Sequence, residues 1–74
     1  MGQEEIEAMR VRMDEADDAL YIRVQETEIV ESEEVSPGVV LDYDAAGRVV
    51  GIEMLNVRAR LPEANLKQVQ VELA

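Results

Sequence analysis

Apolar and polar residues alternate with a period of two along much of this chain, the pattern of half-buried β-strands. "MRVRM" (9–13) alternates apolar and basic residues, with a helical competitor in Ile6, Met9 and Met13. "LYIRV" (20–24) sets Leu20, Ile22 and Val24 on one face and Tyr21 and Arg23 on the other. "EIVESEEV" (28–35) is weaker and reads as an edge strand whose charges discourage sheet-to-sheet aggregation. "VVLDY" (39–43) and "RVVGIEML" (48–55) are the strongest strands, rich in β-branched residues. "NVRARL" (56–61) continues the alternation until Pro62 stops it. The last stretch, "LKQVQVELA", fits a strand through Val69, Val71 and Leu73 or a helix through Leu66, Val69 and Leu73, and its valines and glutamines favour the strand.

Turn chemistry separates these runs. "SPGV" (36–39) places Pro then Gly at the centre of a type II turn, where glycine takes the positive φ. Between the two strongest strands, Asp44 suits the first position of a type I turn and Gly47 the left-handed position that follows. The expectation is all-β: an antiparallel β-meander of five to six short strands over residues 8–74, with one short helical turn near residues 62–66. Residues 1–7, "MGQEEIE", read as a polar tail. The expected core is Met9, Val11, Leu20, Ile22, Val24, Val39, Leu41, Val50, Ile52, Met54 and Val57, joined by Val69 and Val71. A register step of one residue would exchange that whole set for the opposite face.

Composition then narrows what such a sheet needs. A chain of 74 residues is one domain at most, and its small core calls for a staple. The sequence has no cysteine and no histidine, so disulfides and thiolate or imidazole metal sites are excluded. Self-association is the remaining support, with a homodimer expected first. Net charge is −10, with twelve acids and three arginines in residues 1–34 against five acids and four bases in residues 35–74. That field repels nucleic acid and anionic membrane and attracts a basic protein. The acidic N-terminus is no signal peptide, Ile6 spoils a myristoylation motif, and no apolar run nears a membrane span, so a cytoplasmic location is expected.

Chemistry-bearing residues are few. Without Cys or His the common nucleophile–base pairs cannot be assembled, and Ser36 beside Pro37 is ordinary turn chemistry. No enzyme activity and no cofactor are expected. Counted from Asp42, "DYDAAGRVVGIE" places Asp42, Asp44, Gly47 and Glu53 at positions 1, 3, 6 and 12 of a calcium loop. Ala46 and Val50, however, occupy two ligand positions, and the flanks read as strands where a calcium loop has helices. The hairpin accounts for the same letters, and no metal site is assigned. The acid-rich turn "DEADD" (14–18) reads in the same way.

"DEADDALYIRV" followed by "ESEEVSPGVVLDYDAAGRVVGIEMLNVRARL" resembles the short bacterial family called domain of unknown function twenty-two eighty-three. The likeness rests on "ALYI" (19–22) and on the hairpin from Leu41 to Glu53, and covers residues 9–61. The family has no established activity. The resemblance implies a role beside small toxin-like proteins, as an antitoxin or other partner-binding module. Three functional classes follow. The first is a non-enzymatic interaction module for a basic protein, contacting it through Asp14, Glu15, Asp17, Asp18, Glu31, Glu33 and Glu34, with Arg58 and Arg60 as a balancing basic edge. The second is a self-assembling structural β protein without another ligand. The third is a carboxylate-based binder of divalent metal.

Overall fold

The computed structural model describes residues 8–74, so the polar tail assigned to residues 1–7 lies outside the described residues. Five strands form one antiparallel sheet: β1 (Arg10–Asp14), β2 (Ala19–Arg23), β3 (Glu31–Ser36), β4 (Val39–Tyr43) and β5 (Val49–Leu55). Their spatial order is β1-β2-β5-β4-β3. The last three strands follow one another as a meander, and β5 then slots beside β2 in the middle of the sheet. A single turn of helix, α1 (Val57–Arg60), follows β5.

The turns form where the sequence places them. Gly38 has a φ of 79° and Gly47 a φ of 80°, the left-handed conformation both turns require. The Gly47 amide donates to the Asp44 carbonyl at 2.9 Å, closing the β4–β5 turn. Alternation also holds across the sheet. Val11, Ile22, Ile52, Leu41 and Glu33 stand in one transverse row, and Met13, Leu20, Met54 and Val39 in a parallel one on the same face. The opposite face carries Arg12, Tyr21, Glu53, Val40 and Glu34 in one row and Arg10, Arg23, Gly51, Asp42 and Ser32 in the next.

Beyond Leu55 the expected strand is replaced by α1. Asn56 enters the left-handed region (φ 55°), which ends β5, and the chain coils for one turn. Val57 is fully buried there, so its place in the core is correct although its secondary structure is not. The helical turn falls at Val57–Arg60, ahead of residues 62–66, and residues 61–74 form neither strand nor helix.

The expected core needs a larger correction. Among the described residues only Ala19, Val50 and Val57 are buried hydrophobics. Met9, Val11, Val24, Val69 and Val71 are exposed, while Leu20, Ile22, Val39, Leu41, Ile52 and Met54 are half-buried. The physical reason is the missing second layer. Each strand makes its main contacts with its sheet neighbours, and none of the described strands and helix makes comparable contact across the apolar face. Even Ile52, on the central strand between Ile22 and Leu41, is incompletely covered.

Candidate functional site

Among the described residues the polar face carries an extended side-chain constellation. It is built around Gly51, which leaves a gap at the centre of the sheet. A Cβ placed on Gly51 would lie 2.8 Å from Asp42 Oδ2 and 2.8 Å from the Tyr21 hydroxyl. Through that gap the Tyr21 hydroxyl donates to Asp42 Oδ2 at 3.0 Å, joining β2 to β4 above the backbone of β5. Ser32 Oγ on β3 donates to Asp42 Oδ1 at 2.6 Å. Arg23 Nη1 reaches the Tyr21 oxygen at 3.4 Å. One polar chain therefore runs across the sheet from β2 to β3, and Asp42 is only 8% exposed within it.

A second cluster continues at the β4–β5 turn. Arg23 also donates to the carbonyls of Gln25 and Thr27, fastening the connection that carries the chain from β2 to β3. Thr27 Oγ1 donates to Asp44 Oδ2 at 3.4 Å. Asp44 is 4% exposed and accepts the backbone amides of Ala46 and Arg48, each at 3.0 Å. The Arg48 guanidinium closes on Asp44 Oδ2 at 2.8 Å. The Arg48 amide, foremost, then its side chain and the Ala46 amide hold the Asp44 carboxyl below its ordinary range, against an opposing push from burial. Burial raises the Tyr21 hydroxyl above its ordinary value, Arg23 opposes this, and Asp42 adds to it. No buried side-chain oxygen or nitrogen among the described residues lacks a partner. Both clusters are thus satisfied internally, which suits a structural role.

The acids expected to meet a partner divide into two groups. Asp14, Glu15, Asp17 and Asp18 lie at the β1–β2 turn, while Glu31, Glu33 and Glu34 lie on β3 at the far edge of the sheet. Asp14 accepts the Asp17 amide at 3.0 Å and pairs with Arg12 at 3.5 Å. Asp18 takes a left-handed φ of 53°, and its carboxylate accepts the Arg58 amide at 3.1 Å while its carbonyl accepts the Val57 amide at 3.1 Å. It therefore anchors α1 from forty residues away in the chain. Glu34 accepts the Gly38 amide at 3.1 Å, and Glu33 the Tyr43 hydroxyl at 3.4 Å. Glu31 and Glu33 share the apolar face, and Glu34 takes the other.

The two arginines do not form a common basic edge. Arg58 turns to Asp18, 3.7 Å away, and to the Glu15 carbonyl. Arg60 donates to the Leu55 carbonyl at 2.9 Å and to that of Pro37, crossing so close to Gly38 that a Cβ there would meet its guanidinium. Both tie the end of β5 to the neighbouring turns. Sequence reasoning missed these ties, and for Gly51 it points to a bulge or a close approach over the backbone without naming the Tyr21 and Asp42 side chains that make that approach. The clue for the latter was a lone glycine inside an otherwise β-branched strand.

Beside the polar chain, Arg12, Asp14, Asp17, Ala19, Tyr21 and Glu53 line a groove of about 260 Å³. Among the described residues no group of three or more His, Cys, Asp or Glu side chains is placed to hold a metal ion. Asp42 and Glu53, the candidate calcium ligands at the ends of the loop count, serve the polar chain and the groove respectively. No helix among the described residues is long and apolar enough to cross a membrane.

These features define a small single-sheet β protein whose polar face is locked by an internal hydrogen-bonded chain and whose apolar face is open. The chain belongs to the DUF2283 family of proteins of unknown function, whose family model matches residues 10–58. No curated protein and no solved structure matches it.

Proposed function

We propose that this protein acts by binding another polypeptide, without catalysis, and that the partner is a basic protein held along β3 as an antitoxin holds a toxin. The observation behind this reading is β3 itself. It is an outermost strand, every one of its six residues is exposed, and three of them are Glu31, Glu33 and Glu34. An outer strand presents a row of unpaired backbone groups, and strand addition is a common way to use them. Acids on both faces of the strand favour an added strand rich in Lys and Arg. The setting we propose is the bacterial cytoplasm, as the family resemblance implies.

Affinity capture from native cells tests this. The wild-type chain should retain a basic protein, the triple variant E31K/E33K/E34K should lose it, and association of the purified pair should slow steeply with added salt. Retention of the same protein by the triple variant would remove the reading.

A further inference from the structure

The last residues of the chain carry a strand pattern that the sheet leaves unused. Side chains alternate from Gln68 to Leu73, setting Val69, Val71 and Leu73 on one face and Gln68, Gln70 and Glu72 on the other. This segment stands off the sheet, with Val69, Val71 and Leu73 63%, 66% and 93% exposed. The outer edge of β1 is unused as well. No described strand pairs with it, and Met9 and Val11 beside it are 53% and 38% exposed.

The path of the chain brings the two together. β5 ends beside the start of β2, where Leu55 pairs with Ala19. α1 is then tied to the β1–β2 turn, the Val57 amide donating to the Asp18 carbonyl and the Arg58 guanidinium to that of Glu15. Leu61, Leu66 and Lys67 next line, with Glu15 and Arg58, a groove of about 490 Å³. The backbone thus crosses the end of the sheet from β5 past β2 to the end of β1. A turn follows, with the Gln68 amide on the Asn65 carbonyl at 3.4 Å. β1 runs toward this end, so a segment leaving it along the outer edge runs antiparallel to β1.

We infer that residues 67–73 dock on the outer edge of β1 as a sixth, antiparallel strand, the exposed tail being the undocked form of a built-in strap. Lys67 and Glu15, which share the groove, set the register. With that pair opposite each other, Val69 lies across from Met13, Val71 from Val11 and Leu73 from Met9 on the apolar face. On the polar face Gln68 meets Asp14, Gln70 meets Arg12, and Glu72 meets Arg10, which also holds Glu26. Every apolar residue then faces an apolar one, and both ion pairs are of opposite sign. Sliding the segment by two residues sets Val69 against Glu15 or Lys67 against Met13, and a slip of one turns the valines to the polar face. β3 offers no such match, because it presents Glu31 and Glu33 on the apolar face. The strap closes the β1 edge to foreign strands and leaves β3 as the open one. It does not rest on the proposed β3 contact, which the lysine variants test separately.

Amide hydrogen exchange of the full chain reads the docked edge. Alternate β1 amides point away from β2, and these should exchange at least about tenfold more slowly than in a chain ending at Leu66, while the central β5 amides stay protected in both. The native chain has no cysteine, so disulfide trapping supplies a second measurement on the full-length chain. In a mild thiol–disulfide buffer, Val11→Cys with Val71→Cys should close within one chain at least about tenfold faster than Val11→Cys with Gln70→Cys, whose side chains fall on opposite faces. Lys67→Glu should slow that closure about two- to fivefold, and adding Glu15→Lys should restore it. Equal closure by the two cysteine pairs, or equal exchange of the outward amides in the two chains, would overturn the docked strand. Closure between chains in place of within one would overturn the assignment to the chain's own tail.

Discussion

Replacing Gly51 with alanine puts a methyl group into the gap through which Tyr21 reaches Asp42. The new Cβ would sit 2.8 Å from both the Tyr21 hydroxyl and Asp42 Oδ2, and 3.3 Å from Asp42 Cβ. None of these is the loose end of a free side chain, because Asp42 is also held by Ser32 and Tyr21 by Arg23. Losing a hydrogen bond to a charged acceptor costs ~1.5–3 kcal/mol. Overpacking costs a further ~1–3 kcal/mol. Alanine returns ~0.5–1 kcal/mol by restricting the unfolded chain. The net loss is about 1.5–5.5 kcal/mol, a large share of the roughly 4–11 kcal/mol expected for a domain of this size. Urea unfolding followed by circular dichroism, at one fixed protein concentration, measures it. The decisive control is Tyr21→Phe, which deletes one of the two closest atoms. In that background Gly51→Ala should cost at least ~1 kcal/mol less. A neutral or stabilising Gly51→Ala in the wild type would refute the crossing above β5.

Other sites give sharper single readouts. Val57→Ala empties a fully buried position and should cost about 2 kcal/mol in the same urea assay. Gly38→Ala should destabilise twice over, through its φ of 79° and through the Arg60 guanidinium in its way, and Arg60→Ala should relieve only the second part. The Asp44 carboxyl is depressed in the folded state, so its contribution is present above the ordinary aspartate pKa and lost as pH falls through the folded value. Wild-type stability should therefore decline as pH falls from the ordinary aspartate range through the folded value, and Asp44→Asn should flatten that part of the stability–pH curve. Tyr21 and Tyr43 are both raised, chiefly by burial, with Glu33 adding to Tyr43. Stability should then fall as pH rises above ~10, where the unfolded tyrosines ionise first, and tyrosinate absorbance should appear at higher pH in the folded chain than in urea.

Strands and turns were legible because both depend on neighbours in sequence. Alternation places Leu20 and Ile22 on one face whatever the rest of the chain does, and Gly38 and Gly47 answer a local demand for positive φ. Residues 56–61 were misread because Val57, Ala59 and Leu61 keep the strand period while long-range contacts decide the outcome. Asn56 turns left-handed, and Asp18 takes the amides of Val57 and Arg58. Burial was misjudged for a related reason. Periodicity assigns a residue to a face, but only a second layer buries that face, and the described strands and helix form a single layer. The polar chain was hidden because Tyr21 and Asp42 stand on strands that are not neighbours and meet only above a residue lacking a side chain.

The family likeness gains a physical meaning from this arrangement. The letters that carry it include Tyr21, Asp42, Asp44, Gly47 and Gly51. In the folded chain these residues make the cross-sheet hydrogen bond, the gap beneath it and the turn beside it. A single-layer sheet has little core to fix its strand order, so polar ties on one face take over part of that task. The signature therefore specifies a way to build the sheet, with no buried side-chain oxygen or nitrogen among the described residues left unpaired. On the reading proposed above, partner choice falls to surfaces outside it, chiefly the β3 edge, where Glu31, Glu33 and Glu34 stand. Substitutions confined to those surfaces should change what the protein binds while the Tyr21–Asp42 tie, and with it the sheet, persists.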